Sequence, residues 1–325
     1  MTARESYLSG SRGIAELTAT VQGCVSLWEG GLSLADVTGT TILTPSILAM
    51  FARGAALRGE ALFLIGDGLI PCIDWEVRTR NSRPNAYRVT IPEIGGGSTQ
   101  TVLAEEVLHL RLAADPVAPW AGQAPLRRSH LTAGLLDTLE RALLDIYDTA
   151  PLGSQIVPFP ETPENDMETI GRGFRGQRGR VLLRESVSTT AAGGPVPTAD
   201  WRPSDVTPDI SKAMTAESMA AARDTVANAF GVLPALLNSA TTGPMVREAQ
   251  RHLAQWQLQP MAALLAEEAT NKLGVQVQID TMRPLQAYDA GGRARAVTAV
   301  VQAMAQAKEA GIDASQAMQL VDWEA

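Results

Sequence analysis

Apolar residues recur every three or four positions in some stretches and every second position in others, which divides the chain into helical and extended segments. Leu17, Val21, Cys24, Val25 and Trp28 share one helical face, and Gly30 and Gly31 are expected to end that helix. A second helix is expected to open at Pro45, run through Leu48 and Phe51, and stop at Gly59. The period then changes. Residues 61–65, 73–78, 87–91 and 107–111 are short strand-like runs set apart by Gly, Pro and Asn, and they predict a small antiparallel sheet.

Helical spacing returns at residues 126–149, where Leu131, Leu135, Leu139, Ala142 and Ile146 form one stripe with Leu136, Leu143 and Tyr147 beside it. A single helix over that stretch would be about 36 Å long. Pro151 and Gly153 close it, and residues 151–208 are rich in Pro and Gly, with strand-like runs at 154–159 and 180–188. A helix through Met219, Val226 and Phe230 follows, with Gly231 as its cap. After the loop 231–243, Pro244 opens a long helix through Val246, Ala249, Leu253, Trp256, Leu264 and Leu265, which Pro260 is expected to kink near Gln259. Residues 275–279 alternate like a strand, and a last helix is expected from Asp289 through Val297, Val300, Val301 and Met304, capped at Gly311.

Composition narrows the possible roles. At 325 residues and 45% hydrophobic, the chain can bury one large core or two ordinary ones. Its longest apolar stretch is broken by Gly66, Asp67 and Gly68, short of the ~20 residues a membrane span needs. The first ten residues lack a secretory pattern, so a cytosolic site of synthesis and folding is expected. Cys24 and Cys72 stand at no metal-type spacing and read as small buried apolar residues. The net charge of −8 is the wrong sign for tight, sequence-independent DNA binding through many phosphate contacts. An acidic surface past which DNA slides is compatible with it.

Candidate chemistry is sparse. Gly171, Gly173 and Gly176 spell a dinucleotide fingerprint, but a strand-like run follows them instead of a helix, so no helix N-terminus is available to a pyrophosphate. His109, His130 and His252 lie far apart, and none has a partner at metal-ligand spacing. Neither a nucleophile elbow nor a phosphate-binding loop of Walker type is present. No cofactor, metal or catalytic residue is therefore expected. The arginines Arg172, Arg175, Arg178, Arg180 and Arg184 are a local basic departure that fits either phosphates or the acidic face of a partner. Two rivals follow: a nucleic-acid-binding protein using these arginines, and an enzyme with an unfamiliar site.

Several segments, in this order, resemble the phage portal family, in the branch typified by coliphage Hong Kong ninety-seven and by gene transfer agents. TVQGCVSLW resembles its opening helix, Arg58-Gly59-Glu60-Ala61 its GNAY segment, and Val107-Leu108-His109-Leu110-Arg111 its strand ending in HIR. Gly122-Gln123-Ala124-Pro125-Leu126 is similar to its GxSPL, and 226–234 (VANAFGVLP) to its IAxAFGVPP, with Leu258-Gln259-Pro260 in place of TLxP. Glu60 and Leu62 replace the usual Asn and Tyr, and an extra residue splits the Val-Pro pair.

The resemblance implies an α+β portal fold: a mixed wing (1–123 and 244–288), stem helices (124–150 and 211–230), a small β-containing clip (151–210), a tunnel loop (231–243) and a helical crown (289–325). It implies a ring of twelve copies at one vertex of a phage or phage-like head, assembled in the host cytoplasm. Double-stranded DNA would be packaged and ejected through that ring. The implied partners are the major capsid protein, the terminase large subunit and then the head-tail adaptor, with no membrane involved. Leu237, Asn238, Ser239, Thr241, Thr242 and Gly243 would face the DNA, and the five clip arginines would face the terminase and adaptor. Leu131, Leu135, Leu139, Ile146, Met219 and Val226 would pack the stem.

Overall fold

A computed structural model describes residues 18–94, 97–149, 155–160, 181–186, 204–205, 215–238, 240–284 and 290–309. The chain divides into two compact units, a larger one of Met1–Ser129 with Ala227–Ala325 and a smaller one of His130–Val226.

The larger unit begins with α1 (Ala19–Ser33), whose N-cap Thr18 accepts a hydrogen bond from the Val21 amide. Gly30 and Gly31 do not end this helix, which runs through them to Ser33. At Gly31 the cause is close packing: a Cβ there would lie 2.3 Å from Leu258 Cδ1, so a bare backbone is needed for that approach. Strand β1 (Asp36–Thr38) follows, then α2 (Pro45–Arg58), which packs on α1 and ends at Gly59 as its sequence predicts.

The single sheet expected after Gly59 is instead two sheets of three strands each. Strands β2 (Glu60–Ile65), β3 (Leu69–Pro71), β4 (Asp74–Arg80), β5 (Arg83–Ile91), β6 (Ser98–Leu103) and β7 (Val107–Arg111) pair antiparallel in the orders β3-β2-β7 and β4-β5-β6. Apolar residues from both sheets, among them Leu62, Trp75, Tyr87, Val89 and Val107, form one buried cluster. Two facing layers bury these alternating side chains, which one open sheet could not do.

The smaller unit holds α3 (His130–Thr149), preceded by a 3-10 turn at Pro125–Ser129 in place of the uninterrupted helix expected from Leu126. The α-helical part is 20 residues, about 30 Å long. Its sheet has the order β10-β8-β9, from β8 (Gln155–Pro160), β9 (Val181–Ser186) and β10 (Ser204–Asp205), with β8 and β9 parallel. Helix α4 (Thr215–Ala229) follows, and the division between the units falls within it.

Back in the larger unit, α5 (Pro244–Leu253) leads through a π-helical turn at Ala254–Leu258 into α6 (Gln259–Leu273). The irregularity expected at Pro260 thus takes the form of a π turn just before it, which accommodates the ring and the missing N–H of proline. Helix α6 lies against β7. The strand expected at 275–279 is the shorter β11 (Gln278–Asp280), paired antiparallel with β1, a partner that periodicity did not reveal. Helix α7 (Ala290–Glu309) follows, and its expected cap, Gly311, lies outside the described residues.

Candidate functional site

The loop after α4, GVLPALLNSATTG over 231–243, carries no charge and is held at its start by buried aromatics. Trp28 on α1 and Phe230 are both fully buried, meet edge to face with ring centroids 5.9 Å apart, and the Trp28 indole Nε1–H donates to the Phe230 carbonyl at 3.0 Å. The chain then reverses at Gly231, whose φ of +66° suits glycine; a Cβ there would sit 2.8 Å from Gln257 Oε1 in the π turn. The Gly231 and Val232 amides donate back to the Asn228 and Ala227 carbonyls, both at 3.0 Å, and Val232 is buried. Trp28, Gln257 and Val232 therefore fix where the crossing departs.

Beyond this anchor the loop makes a 3-10 turn, Pro234–Leu236. Leu236 helps line an apolar hollow of about 390 Å³ with Leu27, Gly31, Leu253 and Leu258. The Leu237 and Asn238 amides both donate to the Pro234 carbonyl. Asn238 Oδ1 accepts from the Ala240 amide at 2.9 Å, and the Thr241 amide donates to the Asn238 carbonyl at 3.1 Å. These bonds are all local to the turn. Leu237, Asn238, Thr242 and Gly243 are exposed and Thr241 is half-buried, whereas Ser239 lies outside the described residues. The six residues expected at the channel are thus neighbours in one small, polar, charge-free turn as far as they are described.

Of the arginines expected at the clip, Arg172, Arg175, Arg178 and Arg180 lie outside the described residues, and Arg184 stands on β9 opposite Pro158. On α3, Leu136 and Ala133 are buried, while Leu131 is 78% and Leu135 50% exposed. Leu139 and Ile146 are half-buried; on α4, Val226 is buried and Met219 half-buried. The stripe on α3 thus offers large apolar side chains, Leu131 and Leu135, to solvent in a single copy.

Periodicity could not reveal a buried polar network in the larger unit. His109 on β7 has no partner at metal-ligand spacing in sequence, yet the fold brings it a carboxylate and a phenol. Its Nε2 lies 3.3 Å from Glu60 Oε2 and its Nδ1 3.0 Å from the Tyr87 hydroxyl, and the Gly122 amide donates to the same Glu60 oxygen at 3.1 Å. The arrangement joins the two sheets and the chain approaching α3. Burial holds the His109 pKa below its ordinary value, against the opposing pull of Glu60. The imidazole is therefore neutral near pH 7, with Nε2–H donating to Glu60 and Nδ1 accepting from Tyr87. Burial also pushes the Cys24 thiol up to about 12 and the Cys72 thiol to about 11, which leaves both inert. Among the described residues, no group of three His, Cys, Asp or Glu could hold a metal ion, and no helix is long and apolar enough to cross a membrane.

A family model described as phage portal protein matches residues 46–309. Among solved structures, a chain of the virion of a native gene transfer agent particle is 15% identical with a TM-score of 0.60, covering 92% of this chain and 95% of that one. A chain from the neck of an empty gene transfer agent particle, treated with C6 symmetry, is 16% identical with a TM-score of 0.63, covering 94% and 90%. An HK97 family phage portal protein from Corynebacterium diphtheriae is 15% identical with a TM-score of 0.50, covering 85% and 97%. At such identities the likeness speaks for the fold. No curated protein matches the chain.

Proposed function

The chain belongs to the phage portal protein family, and from that premise we propose that its copies close into a ring at one vertex of a phage or gene transfer agent head, forming the channel through which double-stranded DNA is packaged and ejected. The observation that carries this reading is the family match over most of the chain. Structural neighbours from particle necks, one of them treated with C12 symmetry, support a ring in a particle.

Within that reading, the larger unit corresponds to the wing and the smaller one to stem and clip. The division is supported by the way the smaller unit interrupts the larger in sequence. Residues 289–325 are assigned to the crown. The loop Gly231 to Gly243 is assigned to the channel wall, because an anchored turn without charge can touch a moving polyanion without gripping it. Leu131, Leu135, Leu139, Ile146 and Met219 are assigned to packing between neighbouring stems, for which the exposure of Leu131 and Leu135 gives support, and Val226, already buried in one copy, to packing within the stem of that copy. Arg172, Arg175, Arg178, Arg180 and Arg184 are assigned to the clip face that meets the terminase and afterwards the adaptor, with the major capsid protein as a further partner. No catalysis is assigned to the chain.

Light scattering and negative-stain imaging of the purified full-length protein test the reading. About a dozen copies around a central opening are expected, and a strictly monomeric protein at every concentration, in particles as well as free, would falsify it. The channel assignment is tested by replacing Asn238, Thr241 and Thr242 with lysine. Rings are expected to assemble normally while packaged DNA per particle falls, and unchanged packaging would remove those residues from the channel.

A further inference from the structure

The β4–β5 hairpin is a basic element in an acidic chain. Its four arginines, Arg78, Arg80, Arg83 and Arg88, set against Asp74 and Glu76 leave it at +2, so the remaining residues carry −10 to give the total of −8. All four arginines are exposed. Glu76 lies 3.8 Å from Arg88 with both side chains mostly in solvent, and among the described residues Arg78, Arg80 and Arg83 have no ion-pair partner.

The register makes the arrangement unfavourable for the fold alone. Arg80 stands directly opposite Arg83, closing a two-residue turn of Asn81 and Ser82 with φ of +52° and +59°. Like charges facing each other across a strand pair are destabilising, and the positive φ angles suit Asn better than Ser. An anionic partner would relieve the repulsion. Thr79, Asn81, Ser82 and Asn85 supply hydroxyl and amide donors among the arginines, the side-chain set that contacts phosphate oxygens. No aromatic residue is exposed on this hairpin, so stacking with unpaired bases is not available.

We propose that the β4–β5 hairpin is a sequence-independent contact for the phosphate backbone of duplex DNA, formed by Arg78, Arg80, Arg83 and Arg88. The choice of duplex DNA over an acidic protein rests on the portal reading, which brings that polyanion to every copy. Contact through a few phosphates of one hairpin is weak and local, and it is compatible with a negative overall charge.

The test uses full-length protein, its assembly state measured by light scattering in each sample, and a short fluorescent DNA duplex followed by anisotropy over a range of salt. Arg78→Gln/Arg80→Gln/Arg83→Gln is expected to weaken binding at least tenfold and to reduce the slope of log affinity against log salt by about 3, near one for each phosphate no longer neutralised. Lysine at the same three positions is expected to retain most of the binding, because charge carries the interaction. The thermal midpoint of the glutamine variant is expected to be unchanged or higher, which separates the effect from misfolding. Equal affinity and slope for wild type and the glutamine variant overturn the proposal. So does a wild-type protein that binds poly-glutamate but not the duplex, which would point to an acidic protein surface. Failure to form rings while the hairpin still binds DNA counts against the portal reading and leaves the hairpin proposal standing.

Discussion

His109 links the two three-stranded sheets of the larger unit, because it is almost fully buried and satisfies both of its ring nitrogens with partners from other strands. Its folded pKa is lowered, so its contribution to stability is fully present above the unfolded value near 6.5 and is lost as pH falls through the folded value. The groups facing it are Tyr87, Glu60, Arg111 and Glu268; Arg111 reinforces the lowering, while the two carboxylates oppose it without reversing it. Wild type is therefore expected to lose thermal stability between about pH 7.5 and about pH 5. His109→Gln should be about 1–3 kcal/mol less stable than wild type at the upper pH, with a smaller difference at the lower. Denaturant titrations at both values check this, and a constant gap across pH would contradict it. Gly31 acts at the same scale through shape. Gly31→Val is expected to cost about 1–3 kcal/mol by displacing Leu258, measurable as a shift in the urea midpoint without a change in slope.

Among the elements, the crossing loop is held unequally along its length. Its first residues are tied to α1 through Trp28 and Phe230 and lie close against Gln257 of the π turn, whereas 234–238 and 240–241 rely on local turn bonds, with Leu236 beside an apolar hollow. Amide exchange is accordingly expected to be slow at Gly231 and Val232 and much faster from Leu237 to Thr242, in subunit and ring alike. Trp28→Phe keeps most of the packing and removes the donor to the Phe230 carbonyl. It should cost about 1–2 kcal/mol and extend fast exchange to Val232; unchanged protection there would show that the indole bond does not fix the loop. The π turn that supplies Gln257 lies where α5 meets α6, so the loop's exit helix and its anchor belong to one continuous segment.

For the whole molecule, the exposed apolar side chains on α3 are a liability in a monomer and an asset in a ring. Leu131→Asp/Leu135→Asp is expected to leave far-ultraviolet circular dichroism unchanged while shifting the mass in solution from ring toward monomer; a ring that survives both charges would move the interface off this stripe. Much of this organisation was legible beforehand: the 3.6 and 2.0 periods located most helices and strands, and the order of short motifs from Arg58 to Pro260 pointed to the family. The lack of charge in 231–243 was legible as well, whatever the conformation of that loop. The sequence alone could not decide between one sheet and two, could not pair β1 with β11, and read Gly30 and Gly31 as a stop where the helix continues and Gly31 packs closely against Leu258. Nor could it join His109 to Glu60, 49 positions away. The physical reason is range. Periodicity and capping are local properties written within a few residues, whereas sheet partners and buried polar pairs depend on long-range closure, which only the tertiary fold decides.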